Sequence, residues 1–384
     1  MSLQPTIAAQ RIVVIMPNWL GDAVMATPFL RALRTLYPEA HIAALHIPLV
    51  VSVVADLPFI NEIHEYTKAE SSAATRYLRQ GRFDLAVLLP NSFRSAWMAY
   101  RAGIPRRLGY AREWRSPLLT DRVRPILRTA DQRGKDGQIR QAIRSNAGRT
   151  GAIGSPYQPI PTIDYYLKLT EYLGAPPEVV TNRRLELGLG SAEIPEANAI
   201  LAAQGVGDQE PLVVLVPGAN FGSSKCWLPE RFARLADHIM DAQGDFRATV
   251  LIASSPAEKP IVDAILAASY LAPKGRLVAL ANLNNGHGIS LGVLKALVQR
   301  ATLMVCNDTG PRHFAVAFGI PVVTLFGPTD PIWAETFYDR ERRVSVPVPC
   351  GPCQLKKCPI DHRCMTAITV EQVRDAIREL WPAG

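Results

Sequence analysis

The stretch "CNDTGPRHFAVAFGIPVVTLFGPTDP", Cys306 to Pro331, sets Asp308, Thr309, Gly310 and Pro311 between two strand-like apolar runs. Proline suits the first position of a helix, which leaves Thr309 and Gly310 in the turn before it. Free backbone N–H groups at such a helix start can hold a phosphate. Gly310 lets a ligand approach the main chain closely, Asp308 or Thr309 can bond to a sugar hydroxyl, and His313 adds a donor one turn in. A structural role fits the same residues, with Asp308 or Thr309 capping the helix and His313 packed.

A second stretch, "VPGANFGSSKCWLPERF", supplies Gly218, Gly222, Ser223, Ser224 and Lys225 after the apolar run "LVVLV". A glycine-rich turn with one lysine suits a pyrophosphate, neutralised by main-chain N–H groups and a point charge. The spacing fits neither G-x-x-x-x-G-K-[ST] nor G-x-G-x-x-G, which argues against nucleotide triphosphate hydrolysis and against NAD. In "PNWLGDAVMATP", Asp22 stands at the entrance to a helix, where an aspartate is ordinarily a cap with a lowered pKa. An ionised carboxylate there could equally accept the proton of an attacking hydroxyl. Asn91 and Ser92 in "LLPNSFRS" could bind sugar hydroxyls or simply form a turn.

These residues all follow runs with strand character. "RIVVIM" leads through "PNWLGD" into "AVMATPFLRALRTLYP", whose Leu30, Leu33 and Leu36 share a helical face. "HIAALHI" and "FDLAVLLP" continue the strands, with "SFRSAWMAYRAG" as a helix after them. Almost continuous apolar strands alternating with helices predict a parallel sheet covered on both faces. From about Arg112 to Pro161 the periodicity lapses and the chain reads as an irregular, mobile excursion, until "TIDYYLKLTEYLG" restores a helix. A second lapse puts a domain boundary near Gly188 to Ser191.

The rhythm then repeats through "LVVLVP", "ATVLIASS", "RLVALAN", "TLMVCND" and "PVVTLFGP", with helices between them. The last helix, at about 370–381, opens with Thr369 and Gln372 in capping-box relation. The expected fold class is α/β, two doubly wound domains of about 1–188 and 189–384, with a cleft between their strand ends.

The chain has 384 residues, is 48% hydrophobic and carries a formal charge of +8. No apolar stretch approaches the roughly 20 residues that span a bilayer, and the start lacks the order of an export signal, so a cytoplasmic protein is expected. From Arg112 to Arg149 there are ten Arg or Lys against four Asp or Glu, suited to nucleic acid, an anionic membrane surface, a phosphorylated substrate or plain solvation. Nucleic acid recruits stacking aromatics, and Arg128 to Gly154 contains none, so no nucleic-acid partner is expected. Cys350, Cys353, Cys358 and Cys364 crowd around His362. They offer soft metal ligands, yet the second pair lacks the two-residue spacer of zinc sites, so free thiols are the default.

Together, "PNWLGDAVMATPFLRALRTLYP", "LLPNSFRSAWMAYRAGIPRRLGY", "PGANFGSSKCWLPERFARLA" and "CNDTGPRHFAVAFGIPVVTLFGPTDP" resemble the ADP-heptose:lipopolysaccharide heptosyltransferases of Gram-negative bacteria, in their heptosyltransferase II branch. The resemblance implies a GT-B architecture of two Rossmann-like domains, the first for the acceptor and the second for the sugar nucleotide. It implies direct, inverting transfer of heptose from ADP-heptose, with no cofactor and no catalytic metal. The acceptor would be the phosphorylated lipid A inner core bearing Kdo and a first heptose, met through peripheral contact with the inner membrane.

On this view Asp22 matches the general base, and Asn18, Asn91 and Ser92 lie on the acceptor side. Gly218, Ser224 and Lys225 match the loop that faces the donor diphosphate. Asp308, Thr309, Gly310 and His313 match the motif around the heptose and phosphates, and Glu258 approaches the adenosine ribose. The stretch from about Arg128 to Gln158 exceeds what the family needs; it could touch the acceptor or an anionic leaflet, or be a solvated insertion. A GT-B enzyme for another sugar nucleotide and a non-catalytic sugar-binding paralogue are the alternatives.

Overall fold

The computed structural model describes residues 5–147, 156–274 and 276–382. In the first of two compact units, six parallel strands, β1 (Arg11–Ile15), β2 (His41–His46), β3 (Glu62–Glu65), β4 (Leu85–Leu88), β5 (Arg106–Tyr110) and β6 (Asp121–Val123), lie in the order β3-β2-β1-β4-β5-β6. The second holds β7 (Leu212–Val216), β8 (Thr249–Ile252), β9 (Leu277–Ala279), β10 (Leu303–Asn307), β11 (Val322–Phe326) and β12 (Glu341–Ser345), also parallel, in the order β12-β11-β10-β7-β8-β9. Counted from its own first strand, each sheet has the same order, which reverses between β1 and β4 and between β7 and β10.

Helices cover both faces of the central strands, so β4, β7 and β10 are buried along their whole length and read as unbroken apolar runs. The outer strands are different. β3 (EIHE) alternates between half-buried and exposed, and β12 (ERRVS) and β6 (DRV) are rich in charge, as suits edges that must resist pairing with another chain. Their composition hid them from a reading based on apolar runs. The last helix, Val370–Leu380, opens with the reciprocal Thr369 and Gln372 capping box.

The first unit holds the chain as far as Arg128, then Pro156–Gly188 and Ile332–Phe337; the second holds the segment from Thr129, Leu189–Pro331 and the chain from Tyr338. This corrects the expectation of an irregular excursion belonging to the first domain. Leu127 and Tyr157 form an antiparallel bridge, and Arg128 N donates to Pro156 O at 3.0 Å, so the excursion leaves and returns at one point. Within it, Ala130–Ala147 is an 18-residue helix. Its Ile139 and Ile143 pack with Cys350, Cys353, Leu355 and Ile360, and that apolar contact assigns the helix to the second unit. The part of the insertion at 148–155 lies outside the described residues. No helix among the described residues is long and apolar enough to cross a membrane.

Under the second sheet's Asp-Thr-Gly-Pro turn lies a buried ion pair. Arg312 donates from Nε and Nη2 to the two carboxylate oxygens of Glu341 on β12 at 2.6 and 2.7 Å, and Thr324 Oγ1 of β11 adds a bond at 2.7 Å. Burial works to raise the Glu341 carboxyl, but the Arg312 charge and these hydrogen bonds pull it down to about 2. A buried pair contributes little net stability, whereas one orphaned partner costs about 3–5 kcal/mol. Glu341→Leu should therefore lower the unfolding free energy by about that amount, and Arg312→Met added to it should recover most of the loss, as measured by urea denaturation.

Candidate active site

Open α/β sheets bind ligands beyond the strand C-termini where strand order reverses. In the second unit those positions are the exits of β7 and β10. Asn307, the buried last residue of β10, joins them: its Nδ2 donates to Pro217 O at 2.6 Å and its Oδ1 accepts from Trp227 N at 3.2 Å. The loop after β7 is thereby fixed at both ends. Trp227 is buried, and its Nε1 donates to Ile368 O at 3.0 Å.

Within this loop, Lys225 Nζ donates to Asp308 Oδ2 at 2.5 Å and to Asp308 O at 3.1 Å, and stands 4.9 Å from the Phe221 ring centroid. Thr329 Oγ1 donates to the same carboxylate oxygen at 2.7 Å. Burial works to raise the Asp308 carboxyl, but the Lys225 and Arg312 charges, with the bonds from Lys225 and Thr329, hold it below the usual range. Asp308 is thus an ionised anchor for an ammonium and not a helix cap. Thr309 and Gly310 follow it half-buried, and their N–H groups have no acceptor among the described residues. One ammonium and two free main-chain donors at a strand-order reversal suit an anion such as a phosphate.

Ser224 is placed beside Lys225, but its hydroxyl donates to Leu355 O at 2.5 Å. Its N–H donates to Lys356 O at 3.2 Å, and its carbonyl accepts from His362 Nε2 at 2.7 Å. The side chain therefore secures the loop that carries Lys225. Gly222 is required by the same packing, because a Cβ there would run into the Lys356 main chain. A Cβ on Gly218 would meet the carboxylate of Glu258, which is held by Ser255 N at 2.8 Å and Ser255 Oγ at 2.9 Å. Glu258 thus sits directly over the exit of β7.

In the first unit the order reverses between β1 and β4. After β1, Trp19 is the N-cap of the helix Leu20–Met25 and makes no side-chain cap bond, so Asp22 stands in the first turn and is not the cap. Asn18 and Asp22 are both half-buried. Burial, and next the charge of Asp22, push the buried Tyr166 phenol well above its usual range. After β4, Asn91 Oδ1 accepts from Tyr165 OH at 2.9 Å and from Arg115 Nη2 at 3.3 Å. Ser92 caps the helix Phe93–Arg101, accepting from Ser95 N at 3.3 Å. Arg115 is fully buried and bonds to the carbonyls of Tyr110 and Pro90.

Sequence reasoning missed Asn307, Thr329, Tyr166 and Arg115. Asn307 had a signal, a polar residue ending an otherwise apolar strand; Thr329 and Arg115 act through tertiary contacts that no local pattern reveals. All six cysteines are free thiols, and the described residues contain no group of three or more His, Cys, Asp or Glu able to hold a metal ion. Cys350, Cys353, Cys358 and Cys364 line one recess with Ser224 and Ile143, behind the lysine loop.

His313 is buried beneath the turn, and its Nδ1 has no hydrogen-bond partner among the described residues. Burial, reinforced by the Arg312 charge, pushes its imidazole down to about 3 from 6.5. Between those values the unfolded chain binds the proton and the folded one does not, so stability falls as pH falls. Denaturant unfolding of the wild type should show a slope of up to about 1.4 kcal/mol per pH unit from this group below pH 6.5, and His313→Gln should lose that component.

The chain is 27% identical over 338 residues to lipooligosaccharide heptosyltransferase 2 of Haemophilus influenzae, covering 86% of each chain. It is 27% identical over 328 residues to lipopolysaccharide heptosyltransferase 2 of Escherichia coli K12, covering 84% of each. The solved structure of E. coli ADP-heptose lps heptosyltransferase II shares the fold, with a TM-score of 0.73 at 24% identity over 96% of this chain and 98% of that one. The two doubly wound units are those of the expected GT-B fold class. The family profile described as glycosyltransferase family 9 (heptosyltransferase) matches residues 72–130 and 185–363, more than half of the chain. The chain belongs to that family and is a glycosyltransferase.

Proposed function

We propose that the protein transfers L-glycero-D-manno-heptose from ADP-heptose to the first heptose of a phosphorylated, Kdo-bearing lipid A inner core. The observation that carries this reading is the Lys225 and Asp308 pair, with the unpartnered N–H groups of Thr309 and Gly310, at the strand-order reversal of a family 9 chain. The donor diphosphate lies against that ammonium and those N–H groups. Glu258, over Gly218, receives the ribose, and His313 lends polarity beneath the sugar. The acceptor is held by the first unit, with Asn18, Asn91 and Ser92 near its hydroxyls.

Asp22 accepts the proton of the acceptor hydroxyl as that oxygen attacks the anomeric carbon. The new C–O bond forms on the face opposite the departing ADP, so the β-linked donor gives an α-linked product. The bond between the anomeric carbon and the β-phosphate oxygen breaks, and its electron pair leaves with ADP. Negative charge grows on the diphosphate in the transition state, where Lys225 and the fixed N–H dipoles stabilise it without reorganisation. This chemistry draws on the chain's own groups and the donor alone. Because the acceptor is a lipid, the protein works at the cytoplasmic face of the inner membrane.

Transfer from ADP-heptose to a mono-heptosylated inner-core acceptor tests the reading. Asp22→Asn should lower kcat by about 10²–10⁴-fold, the usual contribution of a positioned base, while ADP affinity stays unchanged. Retention of wild-type kcat would reduce Asp22 to a residue of the helix's first turn, and an inactive wild type would redirect the donor assignment to other sugar nucleotides.

A further inference from the structure

The helix Phe93–Arg101 buries Ala96, Met98 and Ala99 and turns three rings outward. Phe93, Trp97 and Tyr100 are 49%, 44% and 48% exposed. Their spacing sets them in one row along the helix, and the rings stack, with centroids 6.1 Å apart for Phe93 and Trp97 and 5.8 Å for Trp97 and Tyr100. Cations border the row. The Arg101 guanidinium lies 5.8 Å from the Trp97 centroid and that of Arg107 lies 5.6 Å from Tyr100, while Arg94 is exposed on the same helix. The neighbouring helix Ser71–Gln80 exposes Arg76 and Arg79, and Arg79 Nη2 donates to Arg101 O at 2.8 Å. Neither helix contains an acidic residue.

Three exposed aromatic rings cost solvation unless something covers them, and a rim of cations without carboxylates selects for negative charge. Aromatic rings of this kind settle at the headgroup level of a bilayer, and guanidinium groups pair with lipid phosphates. We propose that this face of the first unit docks on an anionic phospholipid surface, which rests on the reading that the acceptor is lipid-borne. The helix of the basic insertion, for which an anionic leaflet is one of three readings beside the acceptor and plain solvation, packs with the second unit, whereas the aromatic row lies on the unit that carries Asp22. The stacked rings and their cations are ordered against one another before contact, so little side-chain freedom is lost on docking.

The test is sedimentation of the full chain with vesicles of phosphatidylcholine alone or mixed with phosphatidylglycerol. Wild type should co-sediment with the mixed vesicles only, and less at high salt. The joint Trp97→Ser and Tyr100→Ser variant, checked for an unchanged thermal transition, should bind about tenfold more weakly, and so should Arg94→Gln with Arg101→Gln. Failure of the wild type to bind mixed vesicles, or binding by the aromatic variant at the wild-type level, would overturn the proposal. A wild-type dimer that the aromatic variant turns into a monomer would assign the face to a second copy and overturn it too. Heptose transfer to a water-soluble acceptor fragment, measured in parallel, reads the transferase chemistry by itself, so either proposal can fail without the other.

Discussion

A lysine ammonium held 2.5 Å from a buried aspartate, at the place where strand order reverses, constrains the rest of the second unit. Taking both charges out of water is costly, so the pair persists only because neighbouring groups complete it. Thr329 bonds to the Asp308 carboxylate, the Arg312 charge lies close by, and Asn307 ties the β7 exit to the end of β10. The lysine loop is in turn fastened through Ser224 to Leu355, Lys356 and His362. An anion arriving beside Lys225 meets a charge already placed, and the protein need not order a flexible side chain to receive it.

The two sheets share one strand order, and each brings polar and charged side chains to the same topological position. In the second unit the position is basic, with an ammonium and free N–H groups. In the first it carries a carboxylate, Asp22, whose charge acts on the buried Tyr166 phenol, and the Asn91 amide is oriented by Tyr165 and the buried Arg115. In the proposed reaction the positive site of one unit takes the diphosphate and the carboxylate of the other takes the hydroxyl proton, one role for each copy of the architecture.

Much of this was legible in the sequence. Apolar runs such as "LVVLV" and "TLMVC" specify central strands because both faces are covered, and the residues just beyond them fall at the ligand-binding ends by geometry. Edge strands were illegible for the opposite reason: β12 is mostly charged, since Glu341 completes a buried pair with Arg312, Arg343 also pairs with it, and Arg342 is half-exposed. The helix Ala130–Ala147 was missed because its glycines and its many exposed polar residues leave Ile139 and Ile143, among the residues whose burial is described, as its buried face. Ser224 looked like a ligand group and proved to be an anchor, a distinction that depends on Leu355 more than a hundred residues away.

On the proposed function, Lys225, pre-positioned by Asp308, recognises a diphosphate. Calorimetric titration of ADP and of adenosine into wild type and Lys225→Met tests it most directly. The variant should lose about ten- to hundredfold in ADP affinity, the worth of one charge-assisted bond, while adenosine binds both proteins alike. Equal ADP affinity in the two proteins would contradict it.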